Sequence, residues 1–331
     1  MLRTLADRAT AASPLPLVTT PEARALGIRV ASRHWLRVRP GVHVARESYL
    51  ALPRWQRYAV RVHAFVRTHP RSVLCAESAA VLHGLPLFGE ARSIHVLAGP
   101  GEKSRRFGDV EVHSSVDDRD VVDVDGIRCT TFLDTAVDLT RVLPPAKAVA
   151  VADAAIAPFQ GGMLTRSSAD AILDTQRSSR GRGRARWAWS ASDEHAESPG
   201  ESVSRVVIAW CGFETPELQR TFMYEDAIDR ADFHFASCRV IGEADGWGKY
   251  GLTGTDDAAL RLAEEKRRED RLRRHGHPVA RWDLADAWRV TPLRSALLAA
   301  GVPLVRAPQQ AMLASLRHSP REVATTHTQP R

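Results

Sequence analysis

The sequence predicts a multidomain protein of the α+β or α/β class. Its 331 residues are enough for two or three domains, each with a core of its own. Short apolar segments with the two-residue alternation of strands lie between segments that carry helix caps and glycine stops. Charged residues make up 26% of the chain and the mean hydropathy is −0.25, which is typical of a globular protein.

Changes in composition predict the division of the chain. Residues 177–190 are rich in Arg and Gly and form either a linker or the start of a helix. The C-terminal end is polar without apolar periodicity, so we expect it to be disordered. The expected parts are an N-terminal segment (1–45), an α/β domain (46–176), the Arg/Gly-rich segment (177–190), a C-terminal domain (191–316) and the tail (317–331).

The N-terminal segment begins with a predicted helix at Thr20-Pro21-Glu22, with a Thr cap, Pro at the first helical position and a stop at Gly27. Residues 32–44 follow as an arginine-rich stretch and a strand. This pattern resembles part of a winged helix, and the strand resembles the wing at the start of AbiEi-like antitoxins. About seven residues separate Gly27 from Trp35, so the recognition helix has ~2 turns at most.

Three arginines of this segment are candidate nucleic-acid contacts: Arg33, Arg37 and Arg39. The alternative is that they form a solvated surface and the segment serves only in packing.

The central domain also resembles AbiEi-like proteins. A helix is predicted within 74–86, strands at 93–97 and 110–114, and a strand entering a capped helix within 126–139. Glu77 and His83 are ligand types, but a lone histidine near a helix end is more often structural. The Ala/Val-rich segment 145–157, which contains Asp153, is predicted as a core helix.

The C-terminal domain contains a predicted hairpin, with strands at 231–235 and 239–245 and a turn centred between Ser237 and Cys238. This register pairs Phe235 with Val240.

The same register brings acidic residues together. It places Asp232 opposite Glu243, with Cβ atoms ~5 Å apart, and Asp245 on the same face. Carboxylates held this close repel unless a cation lies between them or they share a proton. Magnesium takes oxygen ligands of this kind.

The segments Ala231-Asp232-Phe233 and Val240-Ile241-Gly242-Glu243-Ala244-Asp245-Gly246 resemble the PD-(D/E)XK nuclease superfamily. The closer resemblance is to its Vsr-like branch, over about residues 195–290. In the superfamily a Lys usually follows the second acid after one residue, where this chain has Asp245, and Lys249 is the candidate replacement. Glu201, early in the preceding helix, is a candidate further ligand or supporting acid.

The resemblance implies a restriction-endonuclease-like mixed sheet flanked by helices, and metal-assisted phosphodiester hydrolysis. Asp232, Glu243 and Asp245 would hold Mg²⁺ or Mn²⁺, and Lys249 would neutralise charge on the phosphate. Lys266 and Arg281 would contact nucleic acid. Taken singly, each acid also has a structural explanation; Glu243, for example, could pair with Arg230.

Composition bounds the partners. A net charge of +7 and a pI of about 9.7 favour a polyanion such as DNA. The four cysteines lie far apart, so we expect no zinc site. With no apolar stretch of membrane-spanning length, we expect a cytoplasmic protein without a membrane partner.

Two other functions stay open: a non-catalytic AbiEi-like regulator that binds DNA or a cognate toxin and keeps the nuclease fold as a scaffold, and a protein-interaction module.

Overall fold

The computed structural model describes residues 4–245, 255–317 and 319–323. Helices account for 44% and strands for 21%, and the described strands form four small open sheets. The predicted mixed α/β class is therefore confirmed at this level. Lys249 and residues 324–331 of the predicted tail lie outside the described residues. No helix in the described part of the chain combines the length and apolar character needed to cross a bilayer.

Helices and strands alternate along the chain. Their order is α1 (Leu5–Arg8), β1 (Val18–Thr19), α2 (Thr20–Ala25), β2 (Trp35–Arg39), β3 (Val42–Ala45), α3 (Arg46–Ala51), α4 (Arg54–Thr68), α5 (Ala76–His83), β4 (Ile94–Leu97), β5 (Arg105–Phe107), β6 (Val110–His113), β7 (Val121–Val124), β8 (Ile127–Thr130), α6 (Phe132–Val142), α7 (Pro145–Ile156), α8 (Arg166–Thr175), α9 (Arg182–Ser190), α10 (Pro199–Cys211), β9 (Glu217–Tyr224), β10 (Ala227–Phe235), β11 (Val240–Asp245), α11 (Thr255–Arg274), β12 (Val279–Asp283), α12 (Leu284–Arg289), α13 (Thr291–Ala300) and α14 (Gln310–Ala314). Short 3-10 helices cover Pro158–Gln160 and Ser315–Arg317.

The chain forms two compact units. The amino-terminal unit comprises Thr4–Leu143, Leu164–Ser190 and Ser319–Arg331. The carboxy-terminal unit comprises Met1–Arg3, Pro144–Met163 and Ala191–His318. Each unit therefore draws on segments that are distant in sequence.

The first sheet of the amino-terminal unit has the strand order β1-β3-β2, all antiparallel. Helix α2 begins one residue before the predicted position, because Thr19, not Thr20, is the N-cap and forms a reciprocal capping box with Glu22. Between α2 and β2 the chain makes turns and bends and forms no second helix. The recognition-helix region is thus at least as short as the sequence predicts.

The rest of this unit contains the sheet β4-β6-β5, the hairpin β7-β8 and several helices. Helix α5 ends at Gly84, which takes the left-handed conformation, and α6 begins with a Thr131 cap. His83 hydrogen-bonds the carbonyl oxygen of Thr130, which is the structural role expected of it.

Two segments of the amino-terminal unit bear on the expected domain organisation. The Arg/Gly-rich segment forms helix α9 from Arg182 onward, which is the helical alternative of the two predicted for it. In the expected disordered tail, residues 319–323 are described, and Arg321 pairs with Glu77.

The carboxy-terminal unit is built on the sheet β12-β11-β10-β9, in which β12 is parallel to β11 and the other neighbours are antiparallel. Trp282 of β12 donates a hydrogen bond to Ser204 of α10, whereas the neighbouring Arg281 contacts Glu265 and Glu269 of α11. Successive strand residues point to opposite faces, so α10 and α11 cover the two faces of the sheet.

Helix α7 confirms the predicted core helix. Its residues from Ala146 to Ile156 are all buried. Asp153 is fully buried and pairs with Arg205 at 2.9 Å, so its role is structural.

Candidate functional site

The β10–β11 hairpin positions the predicted acidic residues. The predicted pair Phe235–Val240 is confirmed, and the ladder continues to Phe233–Gly242. A four-residue turn over 236–239 joins the strands, with Arg239 at a φ of 58°. Strand β10 begins at Ala227, four residues before the predicted start.

Asp232 is the residue immediately before Phe233, whose pair with Gly242 is the last of the ladder. Its Oδ2 accepts a hydrogen bond from the backbone N–H of Ala244, at 2.9 Å. The side chain of Asp232 thus bonds to the backbone of β11 at the point where the described ladder ends. The register of the ladder, continued by one residue beyond Phe233–Gly242, sets Asp232 opposite Glu243 as predicted.

Glu243 is only 8% exposed. Burial, followed by the negative charge of Asp232, raises the pKa of Glu243 to about 7, although Arg268 acts in the opposite direction. Arg268 of α11 contacts Glu243 Oε1 at 2.7 Å. The alternative partner considered from the sequence, Arg230, pairs with Glu197 instead, at 2.6 Å.

Glu201 is brought to the same place by α10. Ser198 caps this helix, and Glu201 in its first turn is 2% exposed. Its carboxylate accepts hydrogen bonds from the Glu197 N–H at 3.0 Å, the Ser198 hydroxyl at 2.7 Å and the Gln219 amide at 2.8 Å. Burial, and then the Asp232 charge, raise the pKa of Glu201 to about 8.

The residues Glu197, Glu201, Asp232 and Glu243, which we call the acidic cluster, are electrostatically coupled. Asp232 raises the pKa of each of the other three, in addition to the effect of burial. These groups cannot all be ionised near neutral pH without a compensating cation or retained protons. Carboxylate oxygens are the donors that Mg²⁺ and Mn²⁺ prefer, so the donor set fits the expected metals.

Asp245 is directed elsewhere. It contacts Arg281 at 3.5 Å, and Arg281 also contacts Glu265 at 2.6 Å and Glu269 at 3.0 Å. Within the described residues, neither Asp232, Glu243 and Asp245 nor any three residues of the acidic cluster have ligand atoms that all lie within 4.8 Å of one another. The three-carboxylate convergence expected from strand periodicity is therefore looser than predicted.

The predicted nucleic-acid contacts divide into two groups. Arg33, Arg37 and Lys266 are exposed, as a phosphate contact requires. Arg39 is 8% exposed, pairs with Asp109 at 2.7 Å and lies 5.0 Å from the Phe65 ring centroid. Arg39 and Arg281 are thus engaged inside the fold, and we remove Arg39 from the set of nucleic-acid contacts.

Three residues of the site were not predicted from the sequence: Glu197, Gln219 and Arg268. Glu197 lies four residues before Glu201, a spacing that offered a signal at a helix start. Gln219 and Arg268 offered none, because their approach depends on the packing of β9 and α11 against the hairpin.

The raised pKa values predict a pH dependence of stability. A carboxyl group whose pKa is higher in the folded state binds more protons when folded. Its contribution to the free energy of unfolding is therefore full below the unfolded pKa of 4.5 and falls as pH rises through about 7 for Glu243 and about 8 for Glu201.

Glu201→Gln should remove part of this loss. Both proteins are compared in the presence of a chelator. As the pH rises from about 5 to about 8.5, the free energy of unfolding of the variant should increase relative to that of the native chain, by up to ~1.4 kcal/mol per unit by which the pKa of Glu201 is raised. Urea unfolding at both pH values measures this difference in the free energy of unfolding. Glu194→Gln is the matched control, because Glu194 is exposed. An identical pH dependence in the native chain and Glu201→Gln would contradict the assignment.

The fold and site define a mixed α/β protein of two units with a buried acidic cluster at a sheet hairpin. The chain is 31% identical over 219 residues to Uncharacterized protein Rv2248 of Mycobacterium tuberculosis (strain ATCC 25618 / H37Rv) and to Uncharacterized protein MT2308 of strain CDC 1551 / Oshkosh. Each match covers 66% of this chain and 76% of the relative. The chain belongs to the family of these mycobacterial proteins. No protein-family model matches it.

Proposed function

We propose that this chain is a cytoplasmic nucleic-acid-binding protein whose carboxy-terminal unit is a metal-dependent DNA endonuclease of the Vsr-like PD-(D/E)XK type. The amino-terminal unit would correspond to an AbiEi-like region with a partial winged helix. The observation that carries the proposal is the acidic cluster, in which the half-buried Asp232 lies close enough to the buried Glu201 and Glu243 for its charge to raise the pKa of both.

Asp232 and Glu243 would hold Mg²⁺ or Mn²⁺, with Glu201 as a further or supporting ligand. When bound, such an ion activates water and stabilises negative charge on the phosphate. Ser198 and Gln219 fix the Glu201 carboxylate through hydrogen bonds, and the Ala244 N–H orients Asp232. Lys266 on α11 would contact a phosphate of the DNA backbone.

The test is a cleavage assay with the purified, untagged chain. Supercoiled, linear, mismatched and single-stranded DNA are incubated with Mg²⁺, Mn²⁺ or a chelator. We expect nicking or cutting with a divalent ion and none with the chelator. Absence of cleavage of every DNA form in both metals would overturn the nuclease function.

A second function is favoured by one specific observation: the motif acids are paired with arginines. Glu243 contacts Arg268 and Asp245 contacts Arg281, as in an acidic cluster kept for stability. The chain would then be a non-catalytic AbiEi-like regulator that binds DNA or a cognate toxin and retains the nuclease fold as a scaffold. Metal-independent DNA binding that weakens steeply with salt, without cleavage, would support this function.

A further inference from the structure

A second group of ligand-type side chains lies in the amino-terminal unit, away from the predicted site residues. Strands β4 and β6 are parallel, with His95 opposite Glu111 and Leu97 opposite His113. The intervening residues of both strands belong to the apolar core. His95, Glu111 and His113 therefore point to the other face, and each offers a ligand atom within 4.8 Å of the other two.

Charged side chains surround the His95 ring. Its Nε2 lies 3.4 Å from Glu77 Oε2 and 3.4 Å from Nη2 of Arg321, which can only donate. Arg321 also pairs with Glu77. On the other side of the ring, Nδ1 faces His113 Nε2 at 2.8 Å and Glu111 Oε2 at 3.9 Å.

Groups outside a metal site commonly hold its ligand side chains in position. Here Ser93 does so for Glu111, because the Glu111 Oε1 accepts a hydrogen bond from the Ser93 hydroxyl at 2.8 Å.

One side of the group is open. His113 is half-buried and lines an open cleft of about 970 Å³ within the amino-terminal unit. His95, by contrast, is 2% exposed. An ion held by the three side chains would therefore be anchored on the sheet and accessible from the cleft.

We propose that His95, Glu111 and His113 form a binding site for a divalent transition-metal ion of the zinc class, with a fourth coordination position open to the cleft. Two imidazole nitrogens and one carboxylate oxygen suit Zn²⁺, and three protein ligands leave room for a water or an exogenous ligand. From the sequence we expected no zinc site, because the four cysteines lie far apart, but the proposed site needs no cysteine.

The test measures zinc affinity of the full, untagged chain by competition with a chromophoric chelator, in excess Mg²⁺ to occupy hard-oxygen sites. We expect one zinc ion per chain with an affinity tighter than micromolar. Glu111→Gln, which keeps the size of the side chain, and His113→Ala should each weaken binding by at least ~10-fold. Co²⁺ in place of zinc should show the visible absorption of a four-coordinate site in the native chain alone.

The matched control is His69→Ala, since His69 is exposed and lines the same cleft. It should bind zinc like the native chain. Absent zinc binding, or binding that Glu111→Gln leaves unchanged, would overturn the proposal. Because these measurements need no DNA cleavage, they are independent of the nuclease function.

Discussion

Asp232→Asn should lower metal-dependent DNA cleavage by about 10²- to 10³-fold or more while the protein stays folded. Asparagine keeps an oxygen that can accept the Ala244 N–H bond now made by Asp232 Oδ2. It removes the negative charge that a metal ligand supplies. The measurement is the initial rate of plasmid nicking at saturating Mg²⁺ or Mn²⁺, with circular dichroism to check the fold.

Asp226→Asn is the matched control for this variant. Asp226 is exposed in the turn between β9 and β10 and has a φ of 59°, a conformation that asparagine accepts readily. Its cleavage rate should equal that of the native chain. If Asp232→Asn cleaves as fast as Asp226→Asn, the acidic cluster is not the catalytic site.

The same substitution has a second consequence that requires no DNA. The charge of Asp232 contributes to the raised pKa values of Glu201 and Glu243. Its removal should lower both values, which carboxyl titration by NMR can follow. Unchanged titration of both groups would show that the acidic cluster is not electrostatically coupled.

The largest loss of stability is expected from Trp282→Ala, about 3–5 kcal/mol in the free energy of unfolding. The Trp282 ring is 2% exposed and lies 5.4 Å from the Phe233 ring, centroid to centroid. Gly242 leaves room for the Trp282 ring, because a Cβ at position 242 would lie 2.5 Å from Trp282 Cη2. The tryptophan thus packs on both residues of the last pair in the hairpin ladder, and its removal leaves a cavity beside the acidic cluster.

Trp282→Phe separates packing from hydrogen bonding. Phenylalanine keeps an aromatic ring but cannot donate to Ser204 Oγ, which Trp282 Nε1 contacts at 2.8 Å. We expect it to cost less than Trp282→Ala, on the order of 1–3 kcal/mol. Urea unfolding followed by far-ultraviolet circular dichroism measures both variants. Equal losses would assign the stabilisation to the hydrogen bond alone.

Local patterns in the sequence determined much of the secondary structure. The glycine stop at Gly27 could be located, and the Thr cap to within one residue, because capping depends on a few neighbouring residues. The pair Phe235–Val240 followed from the turn between them, since a turn sets the register of a hairpin. The mixed α/β class follows from the same local signals.

The composition of both candidate sites was decided only by tertiary structure. Arg268 and Gln219 reach the acidic cluster because α11 and β9 pack against the hairpin. His95 and His113 come together because β4 and β6 pair in parallel. The sequence of neither strand indicates which strand will be its partner.

Ion pairing separates prediction from structure at three charged residues. Asp245 contacts Arg281, and Arg39 is buried in an ion pair with Asp109. Arg230 pairs with Glu197 rather than with Glu243. The alternation of side chains along a strand determines on which face of the sheet a charged side chain leaves the backbone. Its long, flexible stem then lets it pair with whichever opposite charge the packing of other elements brings within reach, and that choice is not encoded in local sequence.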